Sequence, residues 1–169
     1  GVVCGLLITG CGTVVSPDVK RGEQHLAAGN WEDASVAYRQ ALKDDPFEPS
    51  LQNKYSVARE RAAAAHDERG RQLLKDRQFD QAAEEFKRAL TIEPTSKEHE
   101  AGLTEALRLK EARERYREAE RLAQLGRVSE AMAVYMRAVE LDPTYKEALE
   151  GVARLSAEQH AVDRDDRQK

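Results

Sequence analysis

The stretch Gly126-Arg-Val-Ser-Glu-Ala-Met-Ala-Val-Tyr-Met-Arg-Ala-Val-Glu-Leu-Asp-Pro143 decides the fold. Wound as a helix, it puts Ala131, Tyr135, Ala138 and Val139 on one face, because they step by four, three and one residues. Pro143 then ends the helix, since it has no N–H to donate. Small and large side chains alternate along that face. A second helix can therefore approach closely at Ala131 and Ala138 and lodge beside the Tyr135 ring. One helix cannot bury such a face alone, so the stretch requires partners.

The same stretch occurs twice upstream, as Gly29-Asn-Trp-Glu-Asp-Ala-Ser-Val-Ala-Tyr-Arg-Gln-Ala-Leu-Lys-Asp-Asp-Pro46 and Arg77-Gln-Phe-Asp-Gln-Ala-Ala-Glu-Glu-Phe-Lys-Arg-Ala-Leu-Thr-Ile-Glu-Pro94. Each reads Ala, aromatic four on, Ala three on, aliphatic next, then Pro. The preceding helices align without gaps, Arg21-Gly-Glu-Gln-His-Leu26 with Arg69-Gly-Arg-Gln-Leu-Leu74, and more loosely with Glu118-Ala-Glu-Arg-Leu-Ala123. Repetition of this kind is the signature of stacked supersecondary units.

The pattern resembles the tetratricopeptide repeat family, a pair of antiparallel helices called A and B. The family motif falls here on Gly22, Trp31, Ala34, Tyr38, Ala41 and Pro46. Its second occurrence is Gly70, Phe79, Ala82, Phe86, Ala89 and Pro94, and its third Ala119, Val128, Ala131, Tyr135, Ala138 and Pro143. The resemblance implies an all-α solenoid of antiparallel helix pairs with a C-terminal capping helix. The period departs from the family: Ala34 to Ala82 is 48 residues and Ala82 to Ala131 is 49, against about 34. The surplus of about fourteen residues, roughly 21 Å of helix, is expected to lengthen helix A into a rod. A separate short helix is the alternative reading. Because it sets this chain apart, the surplus is also where a particular partner surface is expected.

Charged residues make up 34% of the chain and aromatics only 5%, which suits long amphipathic helices and argues against a sheet-rich enzyme. The formal net charge is −4 and no basic stripe is visible, so a nucleic-acid partner is excluded. Runs such as Lys110-Glu-Ala-Arg-Glu-Arg-Tyr-Arg-Glu118 read as solvated faces laced by i,i+4 ion pairs.

Residues 1–11 form an apolar run too short to span a bilayer and read as the remnant of a secretion signal. Leu7-Ile-Thr-Gly-Cys11 resembles the bacterial lipobox, which implies that Cys11 carries a lipid and that Cys4 is removed on processing. Residues 12–17 then serve as a tether. The repeat domain is expected over 18–162, with units at about 18–46, 50–94 and 96–143, a cap at 144–162, and a polar tail at 163–169. Asp18 is expected to cap the first helix. Thr95-Ser-Lys-Glu98 and Thr144-Tyr-Lys-Glu147 read as capping boxes. Gly102 and Gly151 recur at one offset and suggest close helix crossings. Leu51, Tyr55, Ala58, Ala62 and Ala65 form a narrow seam for a partner helix.

His25, His66, His99 and His160 fall at positions suited to packing or solvent. No metal cluster, phosphate loop or nucleophile elbow is present in the sequence, so neither enzymatic activity, nor a cofactor, nor a small-molecule substrate is expected. In the family, a carboxylate clamp would occupy positions matching Val19, Glu23, Asp67, Arg71, Tyr116 and Glu120, and these residues do not reproduce it. Arg71, Lys75 and Tyr116 remain as candidate groove contacts, since Arg and Tyr anchor many interfaces. Trp31 is assigned to packing between helices.

Together these features predict a lipid-anchored scaffold of the bacterial envelope, on the outer membrane facing the periplasm, whose partners are other envelope proteins. The stretched repeats resemble the repeat regions of lipoproteins associated with secretins in type II secretion and type IV pilus systems, which implies a secretin or pilus component as partner. Outer-membrane protein assembly, polysaccharide export, or an oligomeriser pairing through the Leu51–Ala65 seam are the alternatives.

Overall fold

A computed structural model describes residues 16–167, and among them every regular element is an α-helix. In order these are α1 (Pro17–Ala27), α2 (Trp31–Asp44), α3 (Pro49–Lys75), α4 (Phe79–Ile92), α5 (Lys97–Gln124), α6 (Val128–Leu141) and α7 (Lys146–Asp166). The chain divides within α3, at Ala62 and Ala63, into two compact units. Cys11 and most of the tether lie outside the described residues.

In the first unit, the Ser16 hydroxyl accepts the Val19 N–H at 3.3 Å. The cap is thus Ser16 and not Asp18. Pro17 has no N–H to satisfy, so it starts the helix, and Asp18 falls in the first turn. Gly29, with φ of +75°, turns the chain into α2. Ala34, Tyr38 and Ala41 of α2 then pack with Leu51 and Ala58 of α3, edged by Val19 and Leu26. A Cβ at Gly22 would lie 2.5 Å from the Tyr38 ring, so the glycine is what lets α1 close on it.

The second unit holds two further cores. Ala82, Ala83 and Phe86 of α4 pack with Ala106 of α5 and the edge residues Leu73, Leu74 and Leu103. Ala131, Tyr135 and Ala138 of α6 pack with Ala119 of α5 and with Ala148 and Leu155 of α7. The helix α5 therefore serves two cores: its first half closes the hairpin before it, and its second half opens the next. The surplus is one continuous helix of 27 residues in α3 and 28 in α5. Each repeat is a three-helix unit, and α7 closes the last as the first half of α5 closes the second.

Several expectations need correction. The cap of α5 is Ser96, whose hydroxyl accepts the His99 N–H at 3.4 Å, and not Thr95. No side chain caps α7; Thr144 instead donates its N–H and its hydroxyl to the Asp142 carboxylate, at 3.0 and 2.7 Å. In both places the proline and the threonine after it form a turn, closed by the Ser96 N–H on the Glu93 carbonyl and the Tyr145 N–H on the Asp142 carbonyl, which moves the helix start one or two residues on. The seam is not free for another copy: Leu51 and Ala58 are buried on α2, and Ala62 is 2% exposed. Helix α7 continues past 162, so the polar tail begins inside it.

Arg77 is the one non-glycine residue with positive φ (57°) among those described, at the place held by Gly29 and Gly126 in the other repeats. A side chain there costs roughly 1 kcal/mol or more. It is tied down on both sides: its carbonyl accepts from Arg113, and its guanidinium meets Glu147 at 3.1 Å.

Candidate protein-binding surface

Counting by the repeat period, residues 23, 71 and 120 occupy one position on helix A. Each is tied to the third helix of its own repeat: Glu23 to Lys54 at 2.7 Å, Arg71 to Glu98 at 2.7 Å, and Glu120 to Arg154 at 3.3 Å. The positions 19, 67 and 116 behave likewise. Val19 and Leu51 share the first core, the Asp67 carboxylate meets His99 at 3.0 Å, and Tyr116 shares the third core with Ala148. The third helix of each repeat thus ties these positions down, and Tyr116 and Glu120 in addition face an open groove.

Arg71 is accordingly occupied, held 2.5 Å from Asp67 as well as by Glu98, and the Asp67 hydrogen bond raises its pKa further. Lys75 is exposed on the wall of a cleft of about 400 Å³, beside Arg77, Arg108 and the Asp142–Thr144 turn. Tyr116 is half-buried, its ring 5.8 Å from Tyr135 and 5.1 Å from Tyr145. The three residues are not gathered into one site. Trp31 is also less enclosed than expected: it is half-buried, and the Arg61 guanidinium covers its ring at 4.8 Å. The remaining motif residues are placed as follows. Ala34, Tyr38, Ala41, Phe79, Ala82, Phe86, Ala89, Ala131, Tyr135 and Ala138 are buried, while Pro46, Pro94 and Pro143 sit exposed in the exit turns.

An open groove of about 530 Å³ runs along the second half of α5. Tyr116 and Glu120 form its wall, with Glu114, Arg117 and Arg121 on the rim. Its geometry is fixed from behind. Tyr135 donates its hydroxyl to Glu120, and the Arg154 guanidinium reaches the same hydroxyl at 3.2 Å. Burial, and next the hydrogen bond to Glu120, push the Tyr135 phenol up to about 12. Burial, followed by the Glu120 and Glu147 charges, also raises Tyr116. Both rings therefore stay neutral at ordinary pH. An aromatic wall, a fixed carboxylate and two exposed guanidiniums suit a peptide that offers apolar and acidic side chains.

Sequence reading missed a buried polar cluster in the middle repeat. His66 Nδ1 lies 2.8 Å from Glu85, and Arg69 reaches the same carboxylate at 2.9 Å. Burial alone would raise Glu85, but the hydrogen bonds from Arg69 and His66 hold it below the ordinary carboxylate range. His99 contacts Asp67 through Nδ1; its buried Nε2 faces Glu93 at 3.4 Å without making a hydrogen bond. No group of three possible metal ligands exists among the described residues. The signal was available in register: Asp67 and His99 stand where the first repeat has Val19 and Leu51.

Fold and surface define a class, the TPR-like helical-repeat scaffolds: helical in every regular element of the described residues and offering surface for protein contacts. Residues 116–145 match the tetratricopeptide repeat family. No curated protein matches the chain. The solved first tetratricopeptide domain of Spaghetti (RPAP3), bound to an HSP90 peptide, is 17% identical over 85% of this chain and 90% of that one. The TM-score of that comparison is 0.24.

Proposed function

We propose that the chain is a non-enzymatic protein-binding scaffold, held by a lipid on Cys11 at the outer membrane and facing the periplasm. The groove on α5 is the contact surface of this reading, and its rigid Tyr116–Tyr135–Glu120–Arg154 backing is the observation that carries it. Preorganised side chains lose little entropy on binding. The anchor and the compartment rest on the lipobox-like Leu7–Cys11, and assistance to a secretion or pilus complex rests on the stretched repeats.

A photo-crosslinking residue at Arg121, on the exposed rim, tests the scaffold in bacterial cells alongside membrane fractionation. The expected result is a discrete adduct with an envelope protein, lost when Tyr116→Ala removes the groove wall. Cys11→Ala should release the chain from the membrane fraction. Retention of that variant in the membrane contradicts the anchor, and an adduct pattern unchanged by Tyr116→Ala contradicts the groove.

A further inference from the structure

The open cleft of about 400 Å³ beside Lys75 shares no described lining residue with the α5 groove. Its lining joins the half-buried Leu74 and Leu109 to three cations, Lys75, Arg77 and Arg108. Two carboxylates line it as well, and both are committed. Glu105 is paired with Arg108 at 2.7 Å, and Asp142, 8% exposed, accepts from the N–H and the hydroxyl of Thr144. The exposed charge that remains is positive. Lys75 has no ion pair among the described residues, and the Arg77 side chain is 52% exposed.

The repeat itself does not demand these cations. In the first repeat the places of Lys75, Arg77 and Arg108 are held by Ala27, Gly29 and Glu60, and in the third by Gln124, Gly126 and Ala157. The same helices and the same turn form there without them. Arg77 also holds the left-handed backbone that Gly29 and Gly126 adopt without steric cost. Its pair with Glu147 joins two side chains that are each about half exposed, and such pairs contribute little to stability. Strain of this kind at a residue other than glycine gathers at binding sites.

We infer that this cleft is a second docking surface, independent of the α5 groove, and that it takes an acidic segment of a partner protein. Carboxylates of that segment meet Lys75 and Arg77, and an adjacent apolar side chain packs on Leu74 and Leu109. The chemistry of the lining selects this occupant. A free anion would make no use of the two leucines, and a polynucleotide needs a basic stripe that a chain of net charge −4 lacks. A guanidinium offers a carboxylate two parallel hydrogen bonds, and the ammonium adds charge beside it. Attraction between exposed charges of this kind is screened by salt.

NMR titration of the full chain with the synthetic peptide Glu-Glu-Leu-Glu-Glu, capped at both ends, tests this, with Lys-Lys-Leu-Lys-Lys as the control. The expected result is a saturable shift of the Lys75, Arg77 and Thr144 amides with the acidic peptide alone, weakened by added salt. Lys75→Ala with Arg77→Gly installs the first repeat's own residues, and should lower the affinity about tenfold while the circular dichroism spectrum stays helical. If that pair of changes disturbs the turn, Lys75→Ala alone decides, because an exposed side chain without a partner can be removed without unfolding the chain. It should then weaken binding about threefold. An affinity unchanged by the substitutions overturns the inference. So does the absence of a saturable shift at the cleft, or a shift confined to Arg117 and Arg121, which would mean that the α5 groove holds the peptide instead.

Discussion

Phe86 lies between two glycines. A Cβ on Gly102 would come 2.3 Å from its ring and one on Gly70 2.9 Å, so the ring contacts backbone on both sides. The first and third repeats lean their rings one way only. Tyr38 rests on Gly22, with Lys54 at the place of Gly102; Tyr135 rests on Gly151, with Ala119 at the place of Gly70. Glycine thus marks the side towards which each ring leans, and the middle repeat needs both. Gly102→Ala should cost stability even though alanine favours the helix by about 1 kcal/mol. The buried ring has no direction in which to retreat, and overpacking of this kind costs about 1 to 3 kcal/mol. Urea unfolding should show a lowered midpoint; a variant as stable as the parent, or more so, would mean that the ring can move.

At the scale of the element, the long helices are double-sided. Their pairing is apolar in the first repeat, through Val19 and Leu51, and polar in the second, through Asp67 and His99. A buried polar pair is expensive to break and often dispensable when both partners are replaced. Asp67→Ala alone should therefore destabilise the chain by about 3 kcal/mol, because His99 and Arg71 lose their shared partner. Installing the first repeat's residues together, Asp67→Val with His99→Leu, should leave stability equal or higher by 1 kcal/mol or more. Denaturant titration of both variants decides; a double variant as weak as the single would show the pair to be irreplaceable. The helices themselves were legible because Ala131, Tyr135, Ala138 and their counterparts repeat, and packing faces obey a period. The surplus was legible as helix, but its role as a third helix closing the preceding hairpin was not. Period reveals which residues are apolar, not which hairpin they cover. The caps failed for a local reason, since Thr95 and Ser96 offer the same hydroxyl and only the backbone decides between them. Among the candidate contacts Tyr116 lines the α5 groove, whereas Arg71 looks free in the sequence until α5 brings Glu98 beside it.

Across the described residues, three separate cores stand in place of one, and their ionisable groups differ. Within the second unit, acid and alkali should attack different repeats. Tyr135 in the third repeat has its phenol raised to about 12. A raised folded pKa means the folded state binds the proton more tightly. Its contribution is complete below the ordinary phenol value near 10 and is lost as pH climbs from there through about 12. The shift is worth about 2 to 3 kcal/mol. Glu85 in the middle repeat is held below the ordinary carboxylate range by Arg69 and His66 against the cost of burial. A depressed folded pKa works in the opposite sense: the contribution is complete above the unfolded carboxylate value and disappears as pH falls through the lower, folded one. Amide hydrogen exchange, corrected for its own pH dependence, should show α4 loosening first in acid and α6 first in alkali. Tyr135→Phe should flatten the alkaline limb, and Glu85→Gln the acid limb, each leaving the other limb unchanged. If either substitution altered both limbs equally, the two cores would be one cooperative body, and separate packing along α5 would not make them energetically independent.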